Sequence, residues 1–149
     1  MKIVTISDNY IKDIGTTDNE FMFKHGRPCI VVIKLKFRGK RQDFAVPFRS
    51  NISPSAPKWQ YFPLPPRPTT KPYHRHGIHY IKMFPISKIY QQRFRIEGNE
   101  YYQNIQNILN KHEKQIISDC QKYLDKYENE GKPKYAVDLD LFINLINNI

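Results

Sequence analysis

"PCIVVIKLKFRGKRQDFAVPF", Pro28 to Phe48, carries the clearest pattern in the chain. Val31, Ile33, Leu35 and Phe37 alternate with Lys34, Lys36 and Arg38, the period of two that places successive side chains on opposite faces of a half-buried strand. "RGK", centred on Gly39, turns the chain back into "QDFAVPF", and the two runs predict an antiparallel hairpin. The second arm then changes character. Phe44, Val46 and Phe48 are followed by Arg49, Ser50 and Asn51, so that a guanidinium, a hydroxyl and an amide stand at the end of a core strand. Two readings are open: a polar surface turn, or a site that holds a phosphate.

Outward from the hairpin, "KIVTIS" (Lys2 to Ser7) fits a first strand, and "SDNYIKDIG" a short helix capped by Ser7 or Asp8 and stopped at Gly15. Thr16 to Gly26 reads as loop. Asn51 to His76 holds most of the 11 prolines, which remove backbone donors and fix φ, and this excludes a helix or a central strand. With Trp59, Tyr61, Phe62 and Leu64 as apolar anchors, it reads as a long ordered loop, the kind of segment that carries function. "GIHYIKMFPI", Gly77 to Ile86, is the next strand; if it is regular, Lys82 lies on the face opposite His79. From Asn99 to Glu130, Tyr102, Ile105, Ile108, Leu109, His112, Ile116, Cys120, Leu124 and Tyr127 recur in steps of three and four, the stripe of one long amphipathic helix ended by Gly131 and Pro133. "VDLDLFINLINNI" is a short C-terminal helix. The elements sum to one α+β domain over residues 1–149, with a small, mostly antiparallel sheet flanked by helices.

Composition narrows the partners. Against 14 Asp and Glu stand 24 Lys and Arg, giving a net charge of +10, and 10 Tyr and 9 Phe are interleaved with the basic residues. Such a surface attracts polyanions, and aromatic rings stack on unpaired bases, so nucleic acid is the leading partner. No run is long and apolar enough to cross a bilayer and "MKIVTISDN" lacks the features of a secretory signal, so no membrane is expected and the cytoplasm is the expected compartment. Cys29 and Cys120 read as packing residues.

Several chemistries lack support. There is no G-x-G-x-x-G or Walker loop, and Ser50 sits in no G-x-S-x-G elbow. His74, His76 and His79 cluster in "YHRHGIH" without a nearby cysteine or carboxylate, amid positive charge, so neither a metal nor another cofactor is expected. RNA needs neither, because its 2′-hydroxyl lies beside every phosphodiester. A protein can cleave it by moving two protons and stabilising the transition-state charge, and Arg49, Lys58, His76, His79 and Lys82 are residue types suited to that work.

The opening "KIVTIS" with its Tyr-containing helix, the stretch "RPCIVVIKLKFRGKRQDFAVPFRSNIS" and the strand "HGIHYIKMFPI" together resemble the endoribonuclease toxins of type III toxin–antitoxin systems, the ToxN/AbiQ superfamily, and within it the CptN and TenpN toxins. The resemblance covers about the first ninety residues. It implies a compact, twisted, barrel-like antiparallel sheet with surrounding helices. It also implies an enzyme that cuts messenger RNA and its own repetitive precursor, and that is held inactive by the processed small pseudoknotted antitoxin RNA in a closed toxin–RNA assembly, with no DNA partner. Ser50 matches the serine of the family's "TS" loop, Arg49 stands in place of the threonine, and Lys58 is the candidate for the lysine just beyond it.

The candidate catalytic set is therefore Arg49, Ser50, Lys58, His79 and His76. The candidate RNA-binding set is Asn51, Lys34, Lys36, Arg38, Trp59, Tyr61, Arg67, Arg75 and Lys82. Each has a plainer reading: a polar turn for Arg49 to Asn51, a wet sheet face for Lys34 to Arg38, a core indole for Trp59, a solvent-facing strand position for His79. Tyr101, Tyr102 and His112 read as packing residues of the long helix. The competing function is a basic RNA-binding module without catalysis; a protein-binding accessory factor would leave the positive charge unexplained.

Overall fold

The computed structural model describes residues 1–14, 18–21 and 30–149. The expected loop at 16–26, the stop at Gly15 and Cys29 lie wholly or mostly outside these. The chain begins with strand β1 (Ile3–Ile6) and helix α1 (Asn9–Ile14), followed by β2 (Ile30–Phe37) and β3 (Lys40–Ile52). These last two form the expected hairpin, in register from Ile30 opposite Pro47 to Phe37 opposite Lys40. Its two-residue turn has positive φ at both Arg38 (50°) and Gly39 (79°), a combination that matches the twist of the flanking strands.

Strand β3 does not end at Phe48. It continues through Arg49, Ser50 and Asn51 to Ile52 because β5 (Arg75–His79) offers it a second partner, with Phe48 opposite Ile78 and Arg49 opposite Gly77. The register then shifts between Arg49 and Ile52, a bulge-like irregularity that bends the strand and re-aims its side chains. The proline-rich segment, expected to be loop throughout, contains a 3₁₀ turn at Lys58–Gln60 and the short strand β4 (Tyr61–Leu64). Because β4 lies at the sheet edge, Pro63 is tolerated there. Nor is "GIHYIKMFPI" one strand. A 3₁₀ turn at Tyr80–Lys82 separates β5 from β6 (Phe84–Pro85), and β7 (Gln91–Arg93) follows.

The strand order is β4-β5-β3-β2-β1-β7, with β6 also on β3, and every described pairing is antiparallel. The sheet is open, which corrects the barrel-like expectation: no pairing joins β4 to β7 among the described residues. It has no need to close on itself, since helices bury both faces. On one face, Val31, Ile33, Leu35, Phe37, Phe44, Val46 and Ile78 pack with Ile105, Leu109, Ile116, Cys120 and Leu124 of helix α2 (Glu100–Glu130). On the other, Ile6, Ile30, Ala45 and Phe84 pack with Tyr10 and Ile14 of α1 and Phe142 of α3 (Leu139–Asn147). Each fully buried large apolar side chain contributes about 1.5–3 kcal/mol.

Helix boundaries follow their caps. The side chains of Asn99 and Asp138 accept from Tyr102 N and Leu141 N, and Gly131, at φ 87°, ends α2. Helix α2 is not uniform, since His112 leaves helical geometry (φ −109°, ψ 15°) beside the ring of Phe62. It also does a second job. The side-chain amide of Gln121 donates to Lys36 O (2.8 Å) and accepts from Lys36 N (2.9 Å), and Glu128 accepts from Arg38 N. At the outer end of β2, which extends past its pairing with β1, the edge groups of Lys36 and the N–H of Arg38 are thereby occupied.

Candidate functional site

Alternation along β3 and β5 puts Arg49, Gly77 and His79 on the face of the sheet that α1 and α3 cover. Gly77 has to be glycine. A Cβ there would lie 2.3 Å from the carbonyl oxygen of Phe62 on β4, so only the bare backbone lets β4 approach this closely. Lys82 joins the same neighbourhood, contrary to the expectation for a regular strand, because the 3₁₀ turn at Tyr80–Lys82 re-aims it.

At the centre of this group His79 is only 8% exposed, and its Nδ1 has no hydrogen-bond partner among the described residues. Its pKa is pushed down to about 3, first by burial and then by the positive charges of Arg49 and Lys82. The Lys82 ammonium is itself buried and held: it donates to Glu20 Oε2 at 2.7 Å and to the carbonyl of Tyr135 at 2.6 Å. The result is a neutral imidazole with an unused ring nitrogen, its protonation opposed by burial and by the charges of Arg49 and Lys82. Burying an unpartnered polar atom is costly, and such sites concentrate where a ligand completes them.

His76 belongs elsewhere. It lies on the α2 side of the sheet, 3% exposed, its ring 6.4 Å from that of Phe48. Its Nδ1 sits 2.9 Å from Pro65 O and 2.8 Å from the hydroxyl of Tyr101. Its pKa is lowered by burial and by Arg67, outweighing the raising effect of the Pro65 carbonyl. The Arg67 guanidinium lies over Tyr101 and Tyr102, 5.5 Å from each ring centre, and donates to the Tyr102 hydroxyl at 2.8 Å. His76 and Arg67 thus pin the proline-rich segment to the start of α2. Tyr101, read as a packing residue, is the hub of that network.

The other candidates divide. Ser50 is half-buried at the irregularity of β3. Asn51 is exposed and its Oδ1 accepts from Lys71 N at 2.8 Å. Arg75 is exposed and donates to Tyr73 O. Lys34 and Lys36 are exposed on the hairpin, whereas Arg38 forms a two-pronged pair with Asp140 (2.6 and 2.8 Å) that ties the turn to α3. Lys58, Trp59 and Tyr61 line a cleft between the β4 edge and α2, facing Gln115, Asp119, Lys122, Tyr123 and Lys126. Tyr61 is the link between the two regions, since it pairs directly with His79 across β4 and β5.

Sequence reasoning missed the helix side of this cleft. Gln115, Asp119, Lys122 and Lys126 stand at steps of four, three and four, a polar stripe legible in the sequence, but nothing local reveals that an edge strand lies against it. Glu20, the partner of Lys82, carried no sequence signal. Among the described residues no group of three or more His, Cys, Asp or Glu could hold a metal ion, and no described helix is long and apolar enough to cross a membrane.

No family model and no curated protein matches the sequence. The fold does have a solved counterpart, in a structure described as "A processed non-coding RNA regulates a bacterial antiviral system". The likeness has a TM-score of 0.71 at 18% identity and covers 100% of this chain and 99% of that one. It is a likeness of fold along the whole chain, and the fold found is of the α+β kind that the sequence resemblance implies.

Proposed function

We propose that this chain is a metal-independent endoribonuclease, the toxin of a type III toxin–antitoxin system. It cuts single-stranded messenger RNA and its own repetitive antitoxin precursor, and it is silenced when the processed pseudoknot RNA remains in the groove where it was cut. The observation that carries the reading is the buried His79, whose Nδ1 has no partner among the described residues and whose protonation is opposed by Arg49 and Lys82, with the half-buried Ser50 next to Arg49 in the chain. The end-to-end likeness of fold to a protein from an RNA-regulated antiviral system supports the same assignment.

In this account the ribose performs the attack. His79, neutral in the free protein, accepts the 2′-hydroxyl proton through a ring nitrogen as the 2′-oxygen bonds to phosphorus. The bond to the 5′-oxygen breaks, that oxygen takes a proton from solvent water, His79 returns its proton to solvent, and the products end in a 2′,3′-cyclic phosphate and a 5′-hydroxyl. Arg49 stabilises charge on the phosphorane-like transition state, and Ser50 and Asn51 orient the phosphate. A pKa of about 3 is too low for an effective base, but an entering phosphodiester supplies the negative charge that opposes Arg49 and Lys82 and raises it. That same low value favours the second reading, an RNA-binding module without catalysis.

The test is expression of the chain in bacteria with new transcript ends mapped. The wild type halts growth and generates cuts, whereas the soluble Arg49→Ala/Ser50→Ala double variant does neither. A double variant that still cuts removes these residues from the site.

A further inference from the structure

The cleft between the β4 edge and helix α2 has a volume of about 570 Å³, within the range of small-ligand sites. Its lining differs from a solvated groove in three respects. Trp59, an indole still 37% exposed, lies 17° from parallel with the ring of Tyr123, with centroids 6.1 Å apart. The Tyr123 hydroxyl, on a residue only 2% exposed, has no hydrogen-bond partner among the described residues. Lys58, Lys122 and Lys126 surround these rings, and among the described residues Asp119 is the only acidic group of the lining.

From these features we propose that the cleft is a nucleobase pocket, which seats one unpaired base of an RNA strand and holds its flanking phosphate on the lysines. The proposal deepens the RNA-directed reading above and rests on it. An aromatic surface accepts the flat face of any base, and an adjacent cation favours a polyanionic chain over a neutral metabolite. Selection among bases falls to Tyr123 Oη, buried and unpartnered among the described residues, which can donate and accept, and to the oxygen of Asp119 not already taken by the Tyr80 hydroxyl (3.1 Å to Oδ2), which accepts only. Lys126 stands over the indole at 5.0 Å, held from the other side by an exposed pair with Glu130 four residues on; such a pair is weak, so the ammonium can swing aside to a phosphate. Tyr61 lines the cleft and is in register with His79, so the cleft lies at the sheet edge one strand away from the Arg49–His79 group.

Trp59 is the sole tryptophan of the chain, so its fluorescence reports on this cleft alone. The four nucleoside 5′-monophosphates are titrated separately, with inorganic phosphate as the control. At least one nucleotide quenches Trp59 saturably, and inorganic phosphate does not. Tyr123→Phe weakens that nucleotide by about tenfold, the effect of one lost hydrogen bond. Lys126→Gln, a change at a half-buried surface side chain that spares the fold, weakens it by a similar factor. Quenching by none of the four, equal quenching by inorganic phosphate, or affinities unchanged in both variants overturns the proposal. No step of this titration requires cleavage, so a pocket that binds in a chain that does not cut refutes the nuclease reading alone. A chain that cuts without binding refutes the pocket alone.

Discussion

At the scale of single residues, His79 is the most informative position. Its pKa lies near 3 in the folded chain and near the ordinary 6.5 when unfolded, so the unfolded chain takes up the proton first as pH falls. Its contribution to stability is complete above about pH 6.5 and is lost progressively toward pH 3, at no more than about 1.4 kcal/mol per pH unit. Urea denaturation across this range should show His79→Gln with a shallower slope than wild type. The proposed catalysis would give an independent signature, because kcat/KM reports the free protein and kcat the bound complex. If bound RNA raises the His79 pKa, the acid limb of kcat lies at higher pH than that of kcat/KM; coincident limbs would remove His79 as the base. Gly77 is a stricter constraint. Gly77→Ala forces a Cβ into the Phe62 carbonyl, and we expect a loss of about 1–3 kcal/mol or more in denaturation, with β4 and its cleft disturbed first.

At the scale of elements, α2 acts both as a core helix and as a substitute neighbour for β2. Gln121 occupies both backbone groups of Lys36, so Gln121→Ala should cost only about 0.5–1.5 kcal/mol, because water can replace it, yet leave an open strand edge. Light scattering on mild heating should show that variant associating before the wild type does. The hairpin was readable from sequence because one period of two spans Val31 to Phe37 and one glycine sits at the turn, and the long helix because its stripe never breaks. The extension of β3 through Arg49 to Ile52 was not, since polar residues can sit in a strand once a distant segment pairs with them. The 3₁₀ turn that moves Lys82 beside His79 is equally silent, as "YIKM" fits strand and turn alike.

At the scale of the whole molecule, the excess of positive charge predicts salt-sensitive RNA binding, with log affinity falling linearly against log salt. Each phosphate-contacting lysine removed should reduce that slope by about 0.7 for a single strand, so Lys122→Gln tests whether the α2 stripe touches the backbone. The sequence offers candidate residue types for a site, but it could not assign them to faces. His76 and His79, three positions apart in one histidine cluster, serve opposite sides of the sheet, the first holding a loop to α2 and the second facing Arg49. Sequence proximity grouped what strand alternation separates. The central claim is that the protein supplies cations and a proton acceptor while the ribose supplies the nucleophile. Its most direct test is to incubate the purified chain, in EDTA, with a single-stranded RNA and with DNA of the same sequence. The account predicts cleavage of the RNA to 2′,3′-cyclic phosphate and 5′-hydroxyl ends and an untouched DNA; equal cleavage of both strands, or RNA cleavage that EDTA abolishes, would contradict it.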